Sequence, residues 1–180
     1  MGAQPQPWAG GLSQNSRNDV QRIDSQQHIV LCDIALQAVI KADVRRVCHA
    51  VNMPEYREAW LCAPDGSGYC CATGGQADED YRIDFYRGGF LDISVRGSYK
   101  ICQPDEIVFT WQKDTAPETT TSLVRIHLQG DSSHTVLNLR HSGIASATEH
   151  LWHYRMWCRS LEKLAWLLER CQPVTTAAAL

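Results

Sequence analysis

A chain of 180 residues, 44% hydrophobic and 21% charged, has room for one domain and hardly for two. A net charge of −3 with no Lys/Arg block longer than two residues argues against nucleic acid as its main partner, because phosphate binding needs clustered positive charge. No apolar run reaches the length of a membrane span, the N-terminus lacks the apolar segment of a secretory signal, and Gln6 stands where myristoylation needs Ser or Thr. A soluble, cytoplasmic protein with no membrane partner is expected.

Residues 1–28 are rich in Gln, Asn, Ser, Gly, Pro and Arg, with Trp8, Leu12, Val20 and Ile23 as isolated apolar positions. Such a segment buries too little surface to offset the entropy of ordering, which predicts a disordered tail. "IVLCDIALQAVI" (29–40) reads as a strand with Ile34, Leu36, Ala38 and Ile40 on one face. Asp43 then suits the cap of a short helix carrying Val44, Val47, Cys48 and Val51. Pro54 ends that helix and starts a second, "PEYREAW", which closes near Trp60. Residues 61–80 are Gly-rich and acidic, predicting mostly loop with a short strand around Tyr69 to Thr73.

From Tyr81 the period-two alternation returns. "YRIDFY", a tight "RGG" turn and "FLDISVRGSYKI" make a hairpin with Ile93, Val95, Gly97, Tyr99 and Ile101 as its inward row. Arg82, Asp84, Arg87, Asp92 and Arg96 alternate outward as surface pairs. "IVFTWQK" places Ile107, Phe109 and Trp111 on one face, and "TTTSLVRIHLQG" follows as a further strand. "TVLNLRHSGI" then sets Thr135, Leu137, Leu139 and His141 on one parity, so an imidazole continues an apolar row. Ser146 and Glu149 form an S-x-x-E capping box, and Tyr154, Trp157, Leu161, Leu164 and Leu168 make the apolar stripe of a long helix over 147–171. Pro173 stops it, leaving residues 172–180 as a tail.

The sum is an α+β domain over 29–171. A curved antiparallel sheet of about six or seven strands packs on one long C-terminal helix, with two short helices after the first strand. Eight cysteines (32, 48, 62, 70, 71, 102, 158 and 171) contain no CxxC. Cys62, Cys70 or Cys71 with a histidine match no standard zinc spacing, so no metal is expected. Most sit in apolar stretches, where a free thiol behaves as a small hydrophobe.

Four segments, "VIKADVRRVCHAVNMPEYREAW", "GSYKICQPDEIVFTW", "HTVLNLRHSGI" and "MWCRSLEKLAWLL", resemble in order and spacing the homologues of the activator of the 90-kDa heat-shock protein's ATPase. That family lies in the START-like, birch-pollen-allergen-like superfamily. The resemblance spans about residues 30 to 170 and implies the helix-grip fold. Where the family has an aromatic and a basic residue after a Gly-Gly turn, Gly74 and Gly75 here precede the acidic "QADED". The superfamily hosts ligand carriers, enzymes and protein-binding modules, so function must come from the site.

Trp60, Phe85, Tyr99, Phe109, Trp111, His141, Tyr154 and Trp157 come from separate elements that this fold brings together. They suggest an apolar cavity with polar tips, lined between sheet and helix, for a small hydrophobic ligand. The plainer alternative is that they fill a core, with His141 satisfied by a neighbour. His141 is expected to contact ligand or water near the start of the long helix, beside Tyr154 and Trp157, rather than to act as a general base. Leu at 141 should then cost about 0.5–1.5 kcal/mol. No catalytic pair stands at a telling spacing, and no cofactor is implied. The leading expectation is a non-enzymatic ligand-binding protein; the alternatives are a chaperone-associated or other protein-binding module and a cavity enzyme of lyase or hydrolase type. Limited proteolysis should remove about the first 25 residues and leave a stable core; a core that collapses on losing them would contradict the domain boundary.

Overall fold

Alternating side chains and well-placed caps produce the elements. The computed structural model describes residues 32–74, 78–115 and 121–170. The two predicted tails, 1–28 and 172–180, lie outside the described residues, as do the outermost residues of the predicted domain. Strand β1 (Cys32–Ile40) turns Ile34, Leu36, Ala38 and Ile40 inward. The Asp43 carboxylate accepts the Arg45 N–H at 2.7 Å and opens α1 (Val44–Asn52). Pro54, which has no N–H to leave unpaired, stands in the first turn of α2 (Pro54–Trp60).

Six further strands follow: β2 (Tyr69–Thr73), β3 (Asp80–Arg87), β4 (Phe90–Cys102), β5 (Glu106–Lys113), β6 (Ser122–Gly130) and β7 (Thr135–Ile144). All pairings are antiparallel, in the order β1-β7-β6-β5-β4-β3-β2. The last six strands are a meander, while β1 joins the far edge beside β7. Helices α1 and α2 therefore carry the chain from one edge of the open, curved sheet to the other. In the β3–β4 turn Gly88 and Gly89 take φ of 57° and 85°, the left-handed pair that a two-residue hairpin loop requires. On the outer face Arg82 pairs with Asp84, Arg87 with Asp92 and Arg96 with Asp114, exposed ion pairs of small individual worth.

Helix α3 (Ala147–Arg170) buries His153, Met156, Trp157, Ser160, Leu161, Leu164 and Leu168. The predicted stripe is thus corrected at its first member: Tyr154 is 44% exposed. At 3.6 residues per turn both 153 and 154 flank the line through Trp157 and Leu161. The imidazole takes the inner place because both its nitrogens find partners there. The capping box is half formed. Ser146 Oγ accepts the Glu149 N–H at 3.2 Å, but the Glu149 carboxylate reaches Lys113 instead.

The concavity between sheet and helix is filled. Trp60, Trp111, Trp157 and Tyr99 are each 2% exposed or less, and the gap left among them is about 10 Å³, the room one water needs. The roomy aromatic-lined cavity expected there is absent from the described structure, because the large rings occupy it. Among the described residues no helix is long and apolar enough to cross a membrane.

Leu164 is fully buried on α3. Leu164→Ala should cost about 2–5 kcal/mol in urea melts, whereas Tyr154→Ala should stay within about 0.5 kcal/mol. Equal losses would contradict the corrected stripe.

Candidate functional site

Three tryptophans sit in the core, and an indole N–H buried there needs an acceptor. Trp60 Nε1 donates to the Ala50 carbonyl at 2.9 Å. Trp111 Nε1 donates to His153 Nε2 at 3.1 Å, and Trp157 Nε1 to His141 Nδ1 at 3.0 Å. Two histidines are therefore buried to serve two tryptophans. Their rings lie 4.7 Å apart, edge to face.

These bonds dictate the tautomers. His141 Nδ1 accepts from Trp157, so in the neutral ring the proton is on Nε2, which donates to Ser122 Oγ at 2.7 Å. Ser122 Oγ–H in turn donates a hydrogen bond to the Trp111 carbonyl at 2.9 Å. A Ser-His pair is present, yet it runs backwards for catalysis: a general base needs a free lone pair facing the hydroxyl. His153 is likewise engaged at both nitrogens, donating from Nδ1 to the Glu149 carbonyl at 2.7 Å and accepting from Trp111. Burial, reinforced by His153 and His150, pushes the His141 pKa down to about 2. Burial also takes His153 down to about 4, against the opposing pull of Glu149. Both rings are neutral at physiological pH.

Beside this network opens a cleft of about 250 Å³ between the ends of β5–β7 and the start of α3. Trp111, Ile144 and Ala145 give it apolar wall; Lys113, Ser122, Ser146, Glu149 and His153 give it polar tips. Lys113 shares the inward parity of Phe109 and Trp111, so its stem is buried and its ammonium emerges at the rim. There it meets both Glu149 oxygens at 3.1 Å and lies 4.4 Å from the Trp152 ring centre. Gly143, at φ 79°, lies where the β1–β7 register slips between Ile34↔His141 and Cys32↔Ile144. This bulge returns Ile144 to the interior.

Of the residues expected to line one site, only Trp111 is a wall of this cleft. Trp60, Tyr99, Phe109 and Trp157 border the small interior gap. Phe85 packs edge-on against Trp152 at 6.2 Å, and Tyr154 points outward. His141 faces inward and bonds α3 through Trp157, but it stands behind Ser122 and His153 as a satisfied core histidine. The expected contact with Tyr154 is corrected to one with His153 and Trp157. His153, one turn after Glu149, is 4% exposed and belongs to the core. Lys113, Ser122 and Glu149 line the cleft without being among the expected residues. The legible signal was Lys113 continuing the apolar parity of β5. Among the described residues no cluster of three or more His, Cys, Asp or Glu could hold a metal.

A curved sheet closed on a C-terminal helix, with a cleft at its open end, defines a helix-grip protein. The family model described as "Activator of Hsp90 ATPase homolog 1-like protein" matches residues 41–169, and the chain belongs to that family. No match is found among curated proteins. Among solved structures, protein CV1439 from Chromobacterium violaceum is 24% identical with a TM-score of 0.67, over 76% of this chain and 96% of that one. The Aha1 dimer from Colwellia psychrerythraea is 17% identical with a TM-score of 0.59, over 77% and 96%. DynU16, from the dynemicin biosynthetic locus, is 20% identical with a TM-score of 0.62, over 78% and 48%. These similarities are of fold.

Both histidines hold fewer protons folded than unfolded at acid pH. Their contribution is complete above about pH 6.5 and declines as pH falls toward 4, by up to about 1.4 kcal/mol per pH unit per histidine. Urea melts at pH 7, 6 and 5 should show this decline, with a shallower slope in His153→Gln; an unchanged slope would sink the assignment. His141→Leu orphans the Trp157 N–H, so its cost rises from the single-bond figure to about 1–3 kcal/mol, readable in the same melts.

Proposed function

We propose that the protein binds a small hydrophobic molecule without transforming it, in the cleft between β5–β7 and the start of α3. The observation that carries this reading is the cleft itself: about 250 Å³, apolar on its walls and tipped by a lysine, a glutamate and two serine hydroxyls. That volume falls just below the roughly 300–1,000 Å³ of sites for drug-sized ligands, which favours a compact ligand of one ring or a short chain. Apolar wall supplies affinity, and the Lys113–Glu149 pair can orient a polar end. The lyase or hydrolase reading is weaker, because the one Ser-His pair beside the cleft points its imidazole proton at the hydroxyl.

A second reading, a module that binds a chaperone or another protein, draws on a different face. Tyr69, Tyr86 and Leu91 are register neighbours across β2, β3 and β4, with the two tyrosine rings stacked at 5.0 Å. Tyr69 and Leu91 are each 53% exposed. An exposed apolar row on a sheet face suits contact with another protein, and the family's link to the Hsp90 ATPase points the same way.

A thermal-shift screen of small hydrophobic compounds separates the two. Hits should raise the Tm, since a ligand that binds only the folded state stabilises it. Ala145→Phe should fill the cleft, keep the fold and cancel those shifts. Hits that persist in Ala145→Phe, or a screen with none, would count against the cleft.

A further inference from the structure

Arg57 carries a charge that the fold takes out of water. It projects from α2 and is only 3% exposed. Its Nη1 donates to Tyr99 Oη at 2.9 Å, and its Nη2 donates to the Gly74 carbonyl. Its Nε–H is buried with no partner. Among the described residues no carboxylate lies within ion-pair reach of it. Nor does Tyr99 supply the missing negative charge, because burial pushes its phenol up to about 12. Two ring faces soften the cost: the guanidinium carbon lies 5.5 Å from the Tyr99 ring centre and 6.0 Å from that of Tyr81. Neutral dipoles and ring faces still leave a full charge buried, and buried charges are ordinarily paired.

Arg57 also borders the interior gap described above, together with Trp60, Tyr81, Tyr99, Phe109 and Trp157. The Nε–Nη2 edge of a guanidinium is the edge that takes a carboxylate side-on, through two parallel N–H···O bonds. Here one of those donors is free and the other is held by a backbone carbonyl that an anion can displace. From this we infer that Arg57 anchors a carboxylate-type monoanion inside the aromatic core, one oxygen on Nε and one on Nη2. The site lies behind the cleft proposed above and stands whether or not that cleft binds anything. Since the gap is now only about 10 Å³, entry of anything larger than a single small group requires the Gly74 carbonyl to give way.

The test uses the full chain and matched pairs of probes: phenylacetate against phenylacetamide, and formate against formamide, read by Tm and by tryptophan fluorescence. Each carboxylate should act where its neutral amide does not. Formate acting alone identifies a free small anion as the occupant; phenylacetate acting identifies the head group of an amphipathic ligand. Arg57→Met should weaken the carboxylate by about tenfold or more, and Arg57→Lys should weaken it too, because a lysine cannot present the fork. The comparison of acid with amide in the unaltered protein stands even if Arg57→Met fails to fold. Equal shifts from acid and amide, or no shift from either, would overturn the site. So would a carboxylate effect lost in Lys113→Met and kept in Arg57→Met, an outcome that leaves the cleft reading intact.

Discussion

The interior of this protein is organised by one requirement: an indole N–H taken out of water must be given an acceptor. Filling the grip with Trp60, Trp111 and Trp157 supplies a large apolar area, and leaving any one donor unpaired would cost about 1–3 kcal/mol. A backbone carbonyl answers Trp60. The other two call in imidazoles, from the middle of β7 and from the second turn of α3. Once His141 and His153 are buried, their remaining nitrogens need partners as well, and Ser122 and the Glu149 carbonyl complete the chain. The network joins β5, β6, β7 and α3, so it holds the helix at a defined depth in the sheet.

That depth governs where space is left. With the rings filling the middle, the open volume moves to the end of the grip where β5–β7 meet the α3 N-terminus. The same residues that satisfy the core, Ser122 and His153, form the back of the cleft. Lys113 and Glu149 form its rim, and their attraction diverts the glutamate from the capping box. The residues that hold the core and those that line the proposed cleft are therefore neighbours. Substitutions in this region need a stability measurement beside any binding measurement.

Arg57 is treated differently from the histidines. Every nitrogen of the two core imidazoles is matched, whereas the guanidinium keeps an unmatched donor at the edge of a gap and meets no carboxylate among the described residues. The contrast between a fully satisfied polar network and a partly satisfied one is what distinguishes a packing device from a candidate site in this core.

Periodicity marked the strands and the single long helix, and residue type marked the Asp43 cap, because those depend on local spacing: Ile107, Phe109 and Trp111 face inward as their parity requires. It also placed His141 on the inner face. What it could not decide was whether that face met a ligand or a neighbour, since His141's partners, Ser122 and Trp157, lie 19 and 16 residues away in the chain. The choice of His153 over Tyr154 for the inner line of α3 likewise rests on a Trp111 donor 42 residues distant. Arg57, which the sequence marks only as one charge in a short helix, became a candidate when tertiary packing enclosed it with no acid in reach among the described residues. Parity and capping act over a few residues and can be read along the chain. The pairing of buried polar groups acts across the core, and only the folded arrangement assigns it.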